Sequence, residues 1–410
     1  MNMENFPKGN LKRRRELRIG VLGLGRAGSG MLSALAHHPN IRVTAAADLY
    51  PQHLEKFKSE FGGETFFDAA DLFRSKSIDA VYIATPHELH VEHFLMAAQA
   101  GKHAIVEKPM ALTMKDCDAM IEASESLGIH LIVGHTASFN PSVQKMRQLI
   151  IQEEFGGLAF LTATSYTDFL YRPRRPEELV TELGGGIMYN QIPHQVDAVR
   201  FIAGGMVRSV KASIYDLDPQ RHTEGSCLAF LDFSNGVSAT LTYSGYDHFE
   251  SSELSNNQGP KNPFEYGSSR RKLSSVSSVE DEKALRVDTG FGGVNSVYRS
   301  QRIIGTESLL QGELGSFLIT CEKGDLRMLP DGIGAYSDQG YELITPDPWL
   351  GMQGRGAVIE ELYHAIFADR KLVHDGRWAK ATMEVCIAML ESAKTKKEIS
   401  LEFQVPTIDI

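Results

Sequence analysis

Cysteine is scarce. The 410 residues hold four, Cys117, Cys227, Cys321 and Cys386, and no two stand close enough for a CxxC pair. That removes zinc-ribbon and thioredoxin-type chemistry and fits a reduced, cytoplasmic protein. Basic charge is also short, with 42 Lys and Arg against 52 Asp and Glu and a formal net charge of −10. A general nucleic-acid binder carries a broad basic surface, so that class is set aside, although one basic pocket on an acidic protein is not. Long uncharged apolar runs are absent. The stretch 19–36 contains Arg26 and several glycines and lacks a small-residue cleavage site, so neither a signal peptide nor a membrane span is expected. The basic cluster Lys12 to Arg15 reads as part of a solvated tail, residues 1–17.

What is present is enough apolar material for real cores, at 42% hydrophobic and 23% charged residues over a length of two to three domains. From 18 to 140, short apolar runs at 18–22, 42–47, 80–84, 103–107 and 130–134 alternate with helix-like stretches at 28–37, 51–61, 91–100 and 114–127. The runs are apolar throughout, as parallel strands buried on both faces are, so a doubly wound α/β domain is expected. After Pro141 a helix is expected at 142–153, then antiparallel strands at 158–166, 207–214, 226–233 and 237–244, with Ser234-Asn235-Gly236 as a hairpin turn. Residues 141–410 form an α+β domain with an open, mostly antiparallel sheet, for substrate and self-association. Within it, 250–293 is a polar surface excursion, followed by strands at 316–321 and 324–328 and helices at 357–369 and 378–394.

Gly23-Leu24-Gly25-Arg26-Ala27-Gly28 follows the first strand and opens a helix. Glycines there allow a tight turn and close approach of a pyrophosphate to free helix N–H groups. Asp48 lies 20 positions beyond Gly28, at the end of the second strand, where a carboxylate accepts from ribose hydroxyls. A 2′-phosphate would meet its charge, so NAD is favoured over NADP. Thr85 and Pro86 end the third strand, and ligands of open α/β sheets lie at such ends. His87, His90 and His93 follow; 87 and 93 diverge by roughly 240° around a helix, so no metal is expected and His90 is placed beside the cofactor.

Glu107-Lys108-Pro109 ends the fourth strand. An amine at a buried strand end next to a nicotinamide cation has its pKa drawn down toward the range of an acid or base. The proline suggests a cis peptide. Downstream, Gly184-Gly185-Gly186 reads as backbone crowding a ligand. Asn190 and His194, four apart, share a helical face interrupted by Pro193, and His194 is a proton carrier or hydroxyl ligand.

Taken in order, GLGRAG, ATPHELH, VEKPMA and GGGIMYNQIPHQVD resemble the glucose–fructose oxidoreductase / inositol dehydrogenase / rhizopine-catabolism family over nearly the whole chain. The resemblance implies an N-terminal Rossmann domain, a nicotinamide cofactor contacted by Gly23, Gly25, Arg26, Ala27, Gly28, Asp48, Thr85, Pro86, His90, Glu107 and Lys108, and proton transfer by Lys108. It also implies open sheets that pair in a homo-oligomer. The family's Asp-x-x-x-His has Asn190 in place of the Asp and keeps His194. Its Arg-Phe-x-Pro is Ser138-Phe139-Asn140-Pro141 here, without the arginine.

Tyr171-Arg172-Pro173-Arg174-Arg175-Pro176 places three arginines between prolines in an acidic chain. Arginine forks hold carboxylates, so an acidic small-molecule substrate is expected, with Tyr171, Tyr246 and His248 near a flat ring. The stretches GHTASF, SYTDFLYRPRRPEEL, NQIPHQVD, SGYDHF and HDGRWAKATMEV resemble one branch of the family, the phthalate cis-dihydrodiol dehydrogenases, which implies oxidation of a phthalate dihydrodiol to 4,5-dihydroxyphthalate. A sugar or polyol dehydrogenase and a catalytically inactive NAD-binding sensor are the alternatives.

Overall fold

The computed structural model describes residues 15–256, 266–298, 314–346 and 354–409. Its first sheet is wholly parallel, six strands in the order β3-β2-β1-β4-β5-β6. These are β1 (Leu17–Leu22), β2 (Ile41–Ala47), β3 (Glu64–Phe66), β4 (Ala80–Ile83), β5 (His103–Val106) and β6 (Leu131–Val133). The chain reverses its direction of travel between β1 and β4, and ligands of such sheets bind outside the strand ends at that switch. Residues of β1 and β4 are buried on both faces, which is why the strands read as unbroken apolar runs. One short strand, β3, and the helix α3 (Ala69–Arg74) escape the sequence pattern. The other helices here are α1 (Arg26–His37), α2 (Pro51–Phe61), α4 (His90–Gln99) and α5 (Met114–Leu127).

The second sheet has nine strands, β14-β13-β12-β11-β7-β10-β9-β8-β15, antiparallel except for the β7–β10 pair. They are β7 (Leu158–Tyr166), β8 (Val207–Tyr215), β9 (Ser226–Phe233), β10 (Ser238–Ser244), β11 (Ser316–Cys321), β12 (Gly324–Leu329), β13 (Gly332–Ser337), β14 (Gly340–Ile344) and β15 (Ile399–Ser400). The expected strands are there; β13 and β14 at one edge and β15 at the other extend the sheet beyond them. Cys227, Ala229 and Leu231 point into the core while Leu228 and Phe230 point out, so one face is helix-covered and the other open.

Helices α6 (Pro141–Ile151), α7 (Gly186–Asn190), α8 (Ile192–Ala203), α9 (Ser252–Asn256), α10 (Ser268–Ser274) and α11 (Val279–Asp288) follow, then α12 (Arg355–Ala368) and α13 (Gly376–Thr395) among the described residues. Helix α8 is fixed from within. Asp197 accepts from Trp378 Nε1 at 2.7 Å and Ser138 N at 2.9 Å, and Arg200 lies 4.0 Å over the Trp378 ring and donates to Thr382 Oγ1 at 2.8 Å. His374 bridges Ser138 Oγ at 2.7 Å and Glu361 Oε2 at 2.8 Å. These side chains lock the helix carrying His194 against the end of β6. The four cysteines are buried and unpaired, and no helix among the described residues is long and apolar enough to cross a membrane.

Candidate active site

The glycine-rich loop divides its labour. Gly23, at φ +90°, turns so close to β4 that an added Cβ would sit 2.6 Å from Ala84 O; a Cβ on Gly28 would sit 2.0 Å from Gly23 O. Gly25 alone faces open space within 4 Å, the side from which a pyrophosphate can approach. Arg26 is exposed and Ala27 half-buried. The first turn of α1 has no acidic residue and no side-chain cap, so its amides suit an anion. Asp48 stands beside the loop: Oδ2 accepts from Leu24 N at 2.6 Å, and Oδ1 from Tyr50 N at 2.8 Å and His53 Nδ1 at 3.2 Å. With about four acceptor positions on a carboxylate, one is left for a ribose hydroxyl.

At the end of β4, Thr85 Oγ1 is 3.0 Å from His93 Nδ1, and Pro86 is half-buried before a short 3-10 turn. His90 corrects its expected placement. It is fully buried, with Nδ1 2.7 Å from Pro109 O and Nε2 3.0 Å from Thr85 O. The buried ring lies between two backbone carbonyls and donates to one of them, tying the two loops together. Among the described residues no cluster of His, Cys, Asp and Glu could hold a metal ion.

Lys108 emerges at the end of β5 through a cis peptide to Pro109 and is half-buried. Its Nζ donates to Asn190 O at 2.7 Å, which joins the first domain's amine to the second domain's α7. Glu107 is buried under Tyr82, whose phenol donates to it; Glu107 also accepts from Lys108 N at 3.2 Å. His87 Nδ1 is 2.9 Å from Gly184 O. Burial, then His90 and Lys108, push the His87 imidazole down to about 3.

Two readings of the triple glycine are revised. It crowds protein rather than ligand: a Cβ on Gly184 would meet Leu112, on Gly185 the backbone of Val180, and on Gly186 the Glu224 carboxylate at 2.1 Å. Glu224 is buried, accepts from Met188 N at 3.1 Å and is pushed up by burial. Asn190 and His194 also part company. The helix breaks at Gln191, leaving Asn190 last in α7 and His194 in the first turn of α8, because Pro193 suits a helix start and not an interior. Asn190 Nδ2 donates to Gly186 O at 2.8 Å and Gly184 O at 3.1 Å, so its amide shapes the loop while its carbonyl holds Lys108. His194 is 7% exposed at the same seam.

The arginine loop is largely neutralised by its own neighbours. Arg174 is buried 3.9 Å over the Phe169 ring, donates to Phe169 O at 2.8 Å and faces Glu178 at 3.7 Å, and burial pushes it down to about 9. It is not available to a substrate. Arg175 pairs with Glu178 at 3.5 Å and Arg172 with Asp168 at 2.8 Å; these two keep side-chain exposures of 33% and 27%, against 8% for Arg174. Tyr171 and Tyr246 are core residues: Tyr171 OH donates to Asp218 at 2.6 Å, and Tyr246 OH accepts from Leu217 N at 2.7 Å and donates to Tyr215 O at 3.2 Å. His248 is exposed beside Arg270 at 3.1 Å.

Sequence reasoning missed two residues here. Arg355 reaches over α1, where a Cβ on Gly30 would meet its guanidinium at 3.1 Å, and it hydrogen-bonds Tyr82; the glycine inside α1 was the available signal. His135, just past β6, is fully buried with neither ring nitrogen partnered, and burial pushes it down to about 4.

Residues 17–135 match the family described as an oxidoreductase family with an NAD-binding Rossmann fold, and residues 143–256 match the GFO/IDH/MocA C-terminal domain. The chain belongs to the GFO/IDH/MocA oxidoreductases. It is 36% identical over 386 residues to a 1-carboxy-3-chloro-3,4-dihydroxycyclo hexa-1,5-diene dehydrogenase of Comamonas testosteroni, covering 92% of this chain and 95% of that one. A crystal structure from Bordetella bronchiseptica RB50, provisionally assigned as a dehydrogenase, superposes with a TM-score of 0.85 at 40% identity over 94% of this chain and all of that one. The WlbA dehydrogenase of Bordetella pertussis, solved with NADH and UDP-GlcNAcA, shares the fold at a TM-score of 0.66 and 21% identity, covering 95% and 99%. The protein is therefore an NAD-binding oxidoreductase of this family.

Proposed function

We propose that this enzyme oxidises a carboxylated aromatic cis-dihydrodiol, of which phthalate 4,5-cis-dihydrodiol is the type, to the corresponding catechol with NAD rather than NADP. One observation carries the reading: Lys108 Nζ sits 2.7 Å from Asn190 O at the seam between the domains, where the chain ends of the parallel sheet meet the second domain. The relative from Comamonas, named for a carboxylated dihydroxycyclohexadiene, supports the substrate class. Asp48 beside the glycine loop supports NAD, since its carboxylate would repel a 2′-phosphate.

The residues fit such a cofactor: an open Gly25, a first turn of α1 with no acidic residue and no side-chain cap, and one acceptor position on Asp48. Thr85, Pro86 and Glu107 border the same strand ends. When bound, the nicotinamide supplies an acceptor for hydride from a ring carbinol. Lys108 takes the hydroxyl proton as the carbinol C–H bond breaks and C=O forms. His194 holds the neighbouring hydroxyl or relays that proton onward. The hydroxy-enone then loses its remaining ring C–H proton and gains one on oxygen, and aromatisation drives the reaction forward. Arg172 and Arg175, the partly exposed arginines of the loop, hold the ring carboxylates; Arg174 does not.

We also infer self-association through the open sheet. Phe160, Leu228, Phe230 and Leu318 are 46–51% exposed on it, and a second copy is the partner an open apolar sheet face in a symmetric assembly would take.

The test is an NADH-absorbance screen with NAD, comparing carboxylated cis-dihydrodiols with uncharged dihydrodiols, inositols and hexoses. Turnover concentrated on carboxylated dihydrodiols is expected, with Arg172→Ala raising KM for these far more than for uncharged diols. Preference for an inositol or hexose would replace this reading with the polyol one.

A further inference from the structure

The polar excursion ends in a docked segment. Phe291 is fully buried in the first domain's core, with its ring 6.0 Å from Phe61 and 4.7 Å from Tyr298, and its N–H donates to Leu24 O at 2.8 Å. Leu24 is the residue between the first two glycines of the dinucleotide loop, and it is itself fully buried. Its N–H is already held by Asp48 at 2.6 Å, so both polar groups of this one residue are fixed, one by the residue after β2 and one by the excursion. Ser296 Oγ lies 2.8 Å from Ser29 Oγ on α1, and Gly290 packs so close to His53 that a Cβ would come within 2.6 Å of its ring.

The same segment is anchored on the substrate side. Arg286 grips Glu178 through both oxygens, at 2.9 and 3.2 Å. Glu282 accepts from Arg174 N at 2.7 Å and from Arg221 Nη2 at 2.8 Å. Glu178 in turn lies within electrostatic reach of His87, whose ring also feels Lys108. Phe291 stands five positions beyond Arg286, a reach of at most about 18 Å. That link is stiff: Asp288 accepts from Val294 N at 2.8 Å and Asn295 Nδ2 at 2.6 Å, closing the turn.

We propose that Phe291 and Arg286 are positioning residues that couple the two halves of the cleft, Phe291 setting the glycine-rich loop through Leu24 and Arg286 setting the arginine loop through Glu178. Dinucleotide affinity then depends on an ion pair on the far, substrate-side loop. The proposal stands on the dinucleotide site that the family match assigns, not on the dihydrodiol. Coupling of this kind is reciprocal: whatever orders the arginine loop also tightens the dinucleotide.

The experiment is calorimetric titration of the full chain with NADH, with the unfolding midpoint measured alongside. Phe291→Ala and Arg286→Gln each weaken NADH by about fivefold or more, the lower end of ordinary coupling between sites. The double variant Arg286→Gln/Glu178→Gln loses less than the sum of the two single variants, since both remove the same pair and only the Glu178 contacts to Arg174 and Arg175 are left to lose, and Arg286→Lys recovers part of the affinity without a matching change in the unfolding midpoint. Arg286 is on the molecule's periphery, with 26% of its side chain exposed, so its variant tests the coupling even if Phe291→Ala is poorly folded. Wild-type NADH affinity in folded Arg286→Gln, or additive losses in the double variant, would overturn the proposal.

Discussion

Lys108 Nζ and the carbonyl of Asn190 are 2.7 Å apart, and this contact joins a strand end of the first domain to a helix end of the second. An amine held by a carbonyl at a strand end beside the glycine-rich loop is placed to exchange its proton with a substrate hydroxyl. Lys108→Ala should lower kcat by ~10²–10⁴, the usual size of a general acid–base contribution, while NADH still binds by calorimetry. Near-normal turnover in that variant would remove the lysine from the chemistry.

Asn190→Asp, which restores the residue usual in the family, should not improve this enzyme. The Asn190 amide donates to two glycine carbonyls; a carboxylate there would face both acceptors with no proton to give. The expected result is a lower melting temperature and reduced kcat together, the cost of an unmatched buried acceptor being about 1–3 kcal/mol. Unchanged melting would show that the loop does not depend on those two bonds.

Asp48→Ala should relax the preference for NAD over NADP. Because the carboxylate also holds Leu24 N and Tyr50 N, affinity for NAD itself should fall too. Measured kcat/KM for both cofactors decides this: an intact ratio would put the carboxylate away from the ribose.

Phe230 lies in register with Thr240 on one neighbouring strand and Lys211 on the other, in the middle of the open sheet face. Phe230→Glu should lower the molecular mass seen by light scattering to that of a smaller species without altering the circular dichroism spectrum. The same mass for variant and wild type would leave this face outside any subunit contact.

His135 predicts a pH dependence. Its folded pKa of about 4 lies below the unfolded value of 6.5 because burial disfavours the imidazolium. Between those values the unfolded chain takes up a proton that the folded chain refuses. The contribution is fully present above 6.5 and lost as pH falls toward 4. Melting temperature should therefore drop across that window, and His135→Leu should flatten the drop. An equally steep decline in the variant would assign the acid sensitivity to other groups.

Much of this arrangement could be read from the amino acids in order. The parallel strands were legible because burial on both faces leaves unbroken apolar runs, and the Gly23–Gly28 loop because its chemistry is local. Lys108 stood out by its place at a strand end. What could not be read depends on partners far along the chain. The triple glycine makes room for Glu224, some forty positions on. Arginines 174 and 175 look the same in a solvated loop, a carboxylate site or an internal network; Glu178, Glu282 and Arg286 decide between them. Phe291 sits in a segment rich in serine and glycine, where one aromatic gives no period to detect, so its docking on Leu24 had no signature.

The proposed reaction is direct hydride removal from a ring carbinol beside Lys108. It is tested most directly by turnover of a carboxylated cis-dihydrodiol deuterated at its carbinol carbons. The account predicts one NADH per catechol, deuterium carried into the nicotinamide, and a primary isotope effect in single turnover. Catechol or phenol formed without deuterium reaching the cofactor would contradict it.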